Sequence, residues 1–316
     1  MTASDGTRRV RIVEVGLRDG LQIEPRTVAT ADKARLARAL VAAGIRDFEI
    51  ASFVSPRAVP QMADAEDLLA ALRDLGPEVE LTALVPNRRG AERAVAAGVG
   101  GMVVFASASE SHNAKNLNRS IDGSLAAFAE VAALGRQAGV PVHGAIATAF
   151  GCPFEGEVPV AGVVRVARAY ADLGIRRIAL GDTTGMATPP LVRQRVEALR
   201  SALPDVEIAL HFHNTRGIGL ANVMEGLALG VDRYESSIGG LGGCPFVPAA
   251  TGNIATEDLA YLLAECGCDT GVDLDRLIEA ERLAESIVGR TLPGQVSKAG
   301  PRLRRYALDD ARTAAG

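Results

Sequence analysis

The chain has 316 residues, of which 48% are hydrophobic and 23% charged, with 34 glycines and a formal net charge of −4. This composition is typical of a folded, tightly packed α/β protein and excludes a largely disordered chain. No basic block is long enough to form a nucleic-acid or anionic-membrane surface, so we expect a small-molecule partner, no nucleic acid and no membrane.

The cysteines and the start of the chain indicate a cytoplasmic protein. No CxxC-type metal framework is present, and a chain of this length does not depend on disulfide bonds; its four cysteines are Cys152, Cys244, Cys266 and Cys268. A strand-like run begins within about ten residues of Met1, which leaves no room for a signal or transit peptide. No apolar run approaches the roughly 18 to 20 residues of a membrane span. We therefore expect a cytoplasmic location.

Short β-branched runs alternate along the chain with longer Ala/Leu-rich amphipathic segments. The predicted strands are 10–16, 47–52, 80–85, 101–107, 140–150, 177–183, 206–214 and 233–240. The clearest helical segments are 30–44, 122–139, 160–174 and 216–230, and several of them end in glycine. This alternation predicts repeated βα units and a parallel sheet.

Eight such units predict one (β/α)8 TIM barrel with extra C-terminal helices. We expect a single domain over 1–316, with the barrel at about 10–270 and the added helices at about 271–305. The rival fold is an open doubly wound sheet. It is less favoured because no GxGxxG motif follows the first strand.

Polar residues occur at strand ends, where packing alone would not select them. The catalytic groups of TIM barrels lie at the carboxyl ends of the strands, so these residues predict the active site. They are Arg18 and Asp19 after strand 1, Glu49 within strand 2, Asp182 after strand 6, His211 and His213 on strand 7, and Asn253 beyond strand 8.

The pair His211 and His213 predicts a divalent-metal site. Residues two apart on a strand share a face, so both imidazoles project the same way. Asp19 is the natural third ligand and Asn253 can add an oxygen. Two nitrogens with two or more oxygens suit Mg, Mn, Co or Zn, and we expect Mg or Mn. The alternative is a pair of hydrogen-bonded core histidines.

Arg18, Glu49 and Cys244 suggest enolate chemistry. A cation beside a metal ligand stabilises negative charge that develops on a carbonyl oxygen, and Glu49 is the expected partner that orients Arg18. The alternative is a structural ion pair. Cys244 lies in GGLGGCP, and we expect it to be an accessible thiol on a mobile loop that acts as an acid or a base. The alternative is a loop residue without a catalytic role.

Two further histidines have open interpretations. His143 on strand 5 either faces the barrel mouth or is a hydrogen-bonded barrel residue. His112 belongs to the polar segment after strand 4, which also holds Asn116. That segment either contacts the polar end of a substrate or is a solvated loop.

Long motifs in the chain closely resemble those of the 3-hydroxy-3-methylglutaryl-CoA lyases. These are metal-dependent TIM-barrel enzymes, grouped with related synthases, that carry an Arg-Asp pair on the first strand. The resemblance runs from about residue 10 to about 285. Its motifs are EVGLRDGLQ (14–22), FEIASFVSPRAVPQMAD (48–64), GCPFEG (151–156), LGDTTGMATP (180–189), HFHNTRG (211–217) and GGLGGCPFVPAATGNIATEDL (239–259).

The resemblance implies a carbon–carbon lyase that cleaves an acyl-CoA thioester by a retro-Claisen reaction to acetyl-CoA and a keto acid, and that forms a homodimer. The implied metal ligands are Asp19, His211, His213 and Asn253. The implied catalytic residues are Arg18, Asp19, Glu49, Asp182, His211, Cys244 and Glu257, and the substrate-binding residues are Arg18, Gln22, Asn116 and Thr184.

Some positions depart from the animal-type pattern. Pro25, followed by Arg26, stands where those lyases have a lysine, Asn214 and Arg216 follow the histidine pair, and His143 replaces an arginine. We expect these positions near the pocket. The alternatives are therefore a lyase of a related thioester, such as citramalyl-CoA or a branched hydroxyglutaryl-CoA, a Claisen-condensing synthase, and a catalytically silent barrel scaffold.

Overall fold

The computed structural model describes residues 7–243 and 251–305. Eight parallel strands close into a barrel in which each strand pairs with the next and β8 pairs with β1. The strands are β1 (Arg11–Glu14), β2 (Asp47–Ser52), β3 (Glu80–Leu84), β4 (Gly101–Ser107), β5 (Val142–Ala147), β6 (Arg177–Asp182), β7 (Glu207–Phe212) and β8 (Arg233–Ser236). The predicted TIM barrel is confirmed.

Helices surround the barrel and extend it at the carboxyl end. They are α1 (Thr30–Ala42), α2 (Ala65–Ala71), α3 (Arg88–Ala97), α4 (Glu110–Leu117), α5 (Ile121–Ala138), α6 (Val160–Asp172), α7 (Pro189–Ala202), α8 (Gly219–Ala228), α9 (Thr256–Glu265), α10 (Leu274–Val288) and α11 (Val296–Ala299). The last two confirm the extra C-terminal helices. Among residues 7–243 and 251–305, no helix is both long enough and apolar enough to cross a membrane.

Six strands end earlier than predicted, and three of them, β5, β7 and β8, do so for a clear local reason. After β5, Thr148 has φ 54°, which extended backbone does not allow. After β8, the chain enters a short 3₁₀ turn, Ile238–Gly240, in which Gly239 has φ 63°. After β7, His213 pairs by an isolated bridge with Asn253 instead of continuing beside β8.

The apolar core lies between the barrel and its helices. Outward-facing strand residues such as Phe48 and Tyr234 pack with helix residues such as Leu40 and Tyr170, all fully buried. Side-chain caps fix where helices begin: Asn87 accepts the Gly90 N–H before α3, and Ser109 and Ser120 cap α4 and α5 in the same way.

The amino-terminal end of the barrel interior is filled by ion pairs. Arg233 binds Asp47 at 3.0 Å and Glu207 at 2.6 Å, and Arg177 joins Glu207 to Glu80 at 3.2 Å each. His143 lies 3.4 Å from Glu80 and 3.2 Å from the Arg177 guanidinium. His143 is therefore a hydrogen-bonded barrel residue at the end opposite the mouth, as one of the two interpretations held.

Candidate active site and metal centre

A π-helical turn at Gly16–Gly20 follows β1 and carries Arg18 and Asp19. The turn is possible because two of its positions lack a side chain. A Cβ on Gly16 would lie 2.5 Å from a Glu14 carboxylate oxygen, and one on Gly20 would lie 2.6 Å from the Ser237 hydroxyl. The glycines of GLRDG therefore let the turn lie close to the end of β8.

Glu14 fixes the position of this turn through hydrogen bonds. Its buried carboxyl accepts hydrogen bonds from the Gly16 N–H at 2.7 Å, the Ile238 N–H at 2.9 Å and the Thr256 hydroxyl at 2.7 Å. Burial raises the pKa of Glu14 to about 7 despite these donors. One side chain thus ties β1, the turn after β8 and the start of α9 together.

Arg18 lies between two carboxylates. Its Nη1 donates to Asp19 Oδ1 at 2.7 Å and its Nε donates to Glu49 Oε1. Burial alone would raise the pKa of Asp19, but the Arg18 guanidinium, with His213 and His211, outweighs it and holds that pKa well below its usual range. Asp19 is therefore a carboxylate at any physiological pH, and Glu49 makes the contact with Arg18 that the orienting role requires.

His211 and His213 converge on Asp19. Their Nε2 atoms lie 3.1 Å apart, and His213 Nε2 is 3.7 Å from Asp19 Oδ2. Phe212 faces the opposite way and is fully buried against Phe150. The strand alternation of β7 thus produces the shared face that the sequence predicts.

Asn253 completes this cluster. Its Nδ2 donates to Asp19 Oδ2 at 2.8 Å and to the Leu241 carbonyl at 3.1 Å. Its Oδ1 is buried and has no hydrogen-bond donor among the residues that the structure describes. An amide oxygen held in place without a donor is suited to bind a cation.

The donor set fits one metal ion. Ligand atoms of Asp19, His211 and His213 lie within 4.8 Å of one another. Two ligands at right angles, each about 2.1 Å from one ion, are about 3 Å apart, as the two Nε2 atoms are. Burial lowers the pKa of His213, which favours the neutral imidazole that a metal requires.

Glu235 on β8 is a functional candidate that the sequence interpretation missed. Its Oε2 lies 2.9 Å from His211 Nδ1, and the two residues are adjacent across β7 and β8. A carboxylate at this distance fixes the proton on Nδ1 and leaves the Nε2 lone pair for a metal. The signal was available, because Glu235 is a charged residue inside a short buried strand, like Glu49.

These residues line one cavity of about 260 Å³ at the carboxyl ends of the strands. Its charged side is formed by Arg18, Asp19, Glu49, His211, His213 and Glu235. The exposed side chains of Gln22 and Asn116 line its mouth, so the structure brings both to the predicted pocket. The opposite wall is apolar.

A larger open groove of about 670 Å³ lies at the other end of the barrel. Two of its arginines are bound to backbone carbonyls at helix ends, Arg136 to Leu173 O at 2.9 Å and Arg176 to Ala171 O at 2.6 Å, and the third, Arg177, is bound to Glu80 and Glu207. Because these cations already have partners and the metal-ligand cluster lies elsewhere, the smaller cavity is the candidate active site.

Besides Asn253, which contacts the cavity residue Asp19, three predicted site residues lie outside the lining of this cavity. Asp182 faces away from the barrel interior, and its Oδ1 accepts the Met186 and Ala187 N–H groups. The Thr184 hydroxyl donates to Gly151 O, and Glu257 accepts the Gly239 N–H. Each of these three side chains therefore binds backbone groups of a neighbouring turn. Cys244 lies outside the described residues.

The divergent positions after the histidine pair also lie away from the cavity lining, contrary to expectation. Asn214 Oδ1 accepts the Gly219 N–H at the start of α8, and Arg216 donates to Gly185 O at 2.6 Å. His112, by contrast, lines the cavity. It is buried on α4 with its Nδ1 2.6 Å from the Ser107 hydroxyl, so its segment is a helix and not a solvated loop.

Glu257 makes the stability of the protein depend on pH. Burial raises its pKa to about 8, even though it accepts the Gly239 N–H at 3.0 Å. Between pH 4.5 and 8 the unfolded chain ionises this carboxyl while the folded chain keeps it protonated, so stability falls as pH rises. Glu14, Asp182 and Glu281 act in the same direction up to about pH 7.

We therefore predict that this carboxyl lowers the free energy of unfolding by about 1 kcal/mol between pH 7 and 8, and that Glu257→Gln removes this loss. Urea unfolding at both pH values measures the effect. Glu279→Gln, at an exposed position of α10, is the matched control and should keep the wild-type slope. An unchanged slope in Glu257→Gln would contradict the prediction.

Comparison with known proteins agrees with this geometry. The HMGL-like family model matches residues 9–284. The hydroxymethylglutaryl-CoA lyase YngG of Bacillus subtilis is 42% identical, over 91% of this chain and 96% of that protein. The 3-hydroxy-3-isohexenylglutaryl-CoA/hydroxymethylglutaryl-CoA lyase of Pseudomonas aeruginosa is 42% identical, over 92% and 97%.

A solved structure gives the same result. An HMG-CoA lyase from Acinetobacter baumannii, in complex with coenzyme A and 3-methylmalate, superposes with a TM-score of 0.91 at 40% identity. The match covers 98% of this chain and all of that one.

Proposed function

The chain belongs to the HMGL-like family, and from that premise we propose that it catalyses divalent-metal-dependent retro-Claisen cleavage of a 3-hydroxy-3-methylglutaryl-CoA-like thioester. The products are acetyl-CoA and a keto acid, which is acetoacetate for the 3-methyl substrate. The observation that carries the proposal is the placement of Arg18 beside the Asp19, His211 and His213 cluster in one cavity.

Asp19, His211, His213 and Asn253 would hold the metal, with Mg or Mn as the expected ion and Co or Zn as alternatives. A divalent cation at this cluster supplies Lewis-acid chemistry and lowers the pKa of a hydroxyl bound to it. The ionised Asp19 and the His213 imidazole, whose pKa burial lowers, are in the protonation states that ligands require. Burial alone would also lower the pKa of His211, but the Glu235 carboxylate outweighs it and raises that pKa, so metal binding there would release a proton.

Arg18 would stabilise the departing enolate. The hydroxyl proton passes to a base, the hydroxyl-bearing carbon becomes a ketone, and the electron pair of the broken carbon–carbon bond moves into the thioester enolate. Arg18 Nη2 makes no hydrogen bond to the residues that the structure describes. Because Glu49 and Asp19 fix the other nitrogens, that group is oriented before substrate arrives.

Further parts of the proposal go beyond the charged cluster. Cys244 is the candidate donor of the proton that converts the enolate to acetyl-CoA. Gln22 and Asn116 are placed at the mouth, where an acyl-CoA thioester would enter; the coenzyme A in the related lyase structure supports that substrate class. A homodimer and a cytoplasmic location remain predictions.

The decisive assay supplies the metal-stripped protein with Mg or Mn and tests 3-hydroxy-3-methylglutaryl-CoA beside citramalyl-CoA. We expect release of acetyl-CoA with acetoacetate from the first. Cleavage of citramalyl-CoA alone would identify the protein as a lyase of that related thioester. Net condensation of acetyl-CoA with a 2-oxo acid would support the synthase, and no reaction with a bound metal would support the scaffold.

The contact between Glu235 and His211 gives a separate prediction. Glu235→Ala should weaken metal affinity by about 10- to 100-fold, because the imidazole loses the group that sets its tautomer. Glu235→Gln should recover most of that affinity, since its amide oxygen can accept the same N–H. Calorimetric titration with Mn²⁺ measures both. Equal affinity in the alanine variant and the parent would show that Glu235 does not position His211.

A further inference from the structure

The part of the apolar cavity wall formed by β5 and β6 is built mainly from small side chains. Ala145 lies beside Phe105 across β4 and β5, and beside Ala179 across β5 and β6. Ala147 lines the cavity one layer above Ala145. Together with Gly181, the three alanines leave space inside the barrel that we call the alanine recess, with Phe105 and Leu84 at its side.

The alanine recess begins next to a candidate metal ligand. Gly181 is the direct neighbour of His211 across β6 and β7. Adjacent strands are about 4.8 Å apart, so a group bound at His211 reaches the part of the cavity that Gly181 and Ala179 line one strand away. The recess then runs across β6 and β5 toward β4, a span of roughly 10 Å.

The β5–β6 wall of the recess offers few groups to a polar ligand, and the Ser52 hydroxyl lies beside Leu84 across β2 and β3. Thr183 is the polar side chain on its β5–β6 wall among the described residues, and its hydroxyl accepts the Thr148 N–H at 3.2 Å. The charged groups below it, His143 and Arg177, are bound to Glu80. An occupant must therefore be aliphatic, because a buried polar group there would lose its hydrogen bonds.

We propose that the substrate of this enzyme carries, on its hydroxyl-bearing carbon, an unbranched or branched aliphatic group of about four to six carbons, which fills the alanine recess. The inference rests on the proposed function, since it assumes that this carbon is held beside His211. The carboxylate and hydroxyl of the substrate face the charged side of the cavity, and the aliphatic group faces the alanines.

A longer aliphatic group on the substrate should give a higher kcat/KM. Each methylene transferred from water into an apolar site raises kcat/KM by about fourfold when it is fully buried in the transition state. A 3-pentyl substrate has four carbons more than the 3-methyl one. Even with partial burial, we expect its kcat/KM to exceed that of the 3-methyl substrate by about tenfold or more.

The test compares 3-hydroxy-3-pentylglutaryl-CoA with 3-hydroxy-3-methylglutaryl-CoA in the metal-loaded enzyme. Ala145→Leu fills the recess and should lower the pentyl-to-methyl ratio of kcat/KM by about tenfold or more. Ala126→Leu, at an exposed position of α5, is the matched control and should leave the ratio unchanged. If Ala145→Leu does not fold, Ala147→Leu fills the same recess from the next layer.

The possible outcomes distinguish a failure of this inference from a failure of the proposed function. Cleavage of the pentyl substrate at the higher rate, with the ratio lost in the filled variant, supports the recess. Cleavage of the methyl substrate with little or no cleavage of the pentyl one overturns the recess and leaves the proposed function intact. An unchanged ratio in both filled variants also overturns it. If neither thioester is cleaved, the proposed function itself fails.

Discussion

Asp19→Asn is expected to lower kcat/KM by about 1,000-fold or more and to weaken divalent-metal affinity by at least about 100-fold. The carboxylate lies 3.7 Å from His213 Nε2 and 2.7 Å from the Arg18 guanidinium. Asparagine keeps the size of the side chain but removes the charge that attracts the cation. It also leaves Arg18 with Glu49 as its only carboxylate partner among the described residues.

Two measurements on one sample separate metal loss from misfolding. Calorimetric titration with Mn²⁺ gives the affinity, and thermal unfolding shows whether the fold persists. Asp67→Asn, at an exposed position of α2, is the matched control and should behave as the parent. Full metal affinity in a folded Asp19→Asn protein would remove Asp19 from the ligand set.

Arg18→Gln is expected to lower kcat by about 1,000-fold without weakening metal binding. Arg18 carries the cationic side chain that lines the cavity beside the metal-ligand cluster, and glutamine cannot supply that charge to an enolate. Removing a positive group beside Asp19 also removes repulsion of the incoming metal. The two substitutions therefore affect different quantities: Asp19→Asn reduces metal affinity and rate together, whereas Arg18→Gln reduces rate alone.

A lysine at the same position tests geometry. Arg18→Lys keeps the charge but cannot bind Glu49 and Asp19 through a planar fork, so its kcat should fall between those of the parent and Arg18→Gln. Arg73→Gln, at an exposed position, is the control. Near-parental kcat in Arg18→Gln would mean that another group stabilises the enolate.

Local periodicity was sufficient to predict the barrel and the central part of the site. The alternation of β7 places His211 and His213 on one face, and the parallel barrel brings that face to the turn that carries Asp19. These inferences hold because the two-residue period of a strand and the polarity of a parallel barrel do not depend on distant contacts.

Other assignments required information that the sequence holds only indirectly. Glu235 becomes visible once the register between β7 and β8 places it beside His211. The same parity rule could have excluded Asp182, because Ala179, Gly181 and Thr183 are the residues of its segment that face inward.

The position of a residue along the barrel axis was also not predicted from the sequence. His143 lies near the start of β5, so it joins the ion pairs at the amino-terminal end and not the site. Arg216 and Asn214 follow the histidine pair closely, yet their side chains hold backbone groups of the neighbouring turns. Position near a motif did not establish contact with the pocket, because each chain segment turns away from the barrel after its strand.

We propose that one divalent ion, bound by Asp19, His211 and His213, enables the cleavage. The most direct test titrates the metal-stripped protein with Mn²⁺ and measures bound Mn²⁺ by electron paramagnetic resonance beside the rate of acetyl-CoA release from 3-hydroxy-3-methylglutaryl-CoA. We expect the rate to rise in proportion to bound metal and to saturate at one ion per chain. Full activity in the stripped protein, or an activity independent of bound metal, would contradict it.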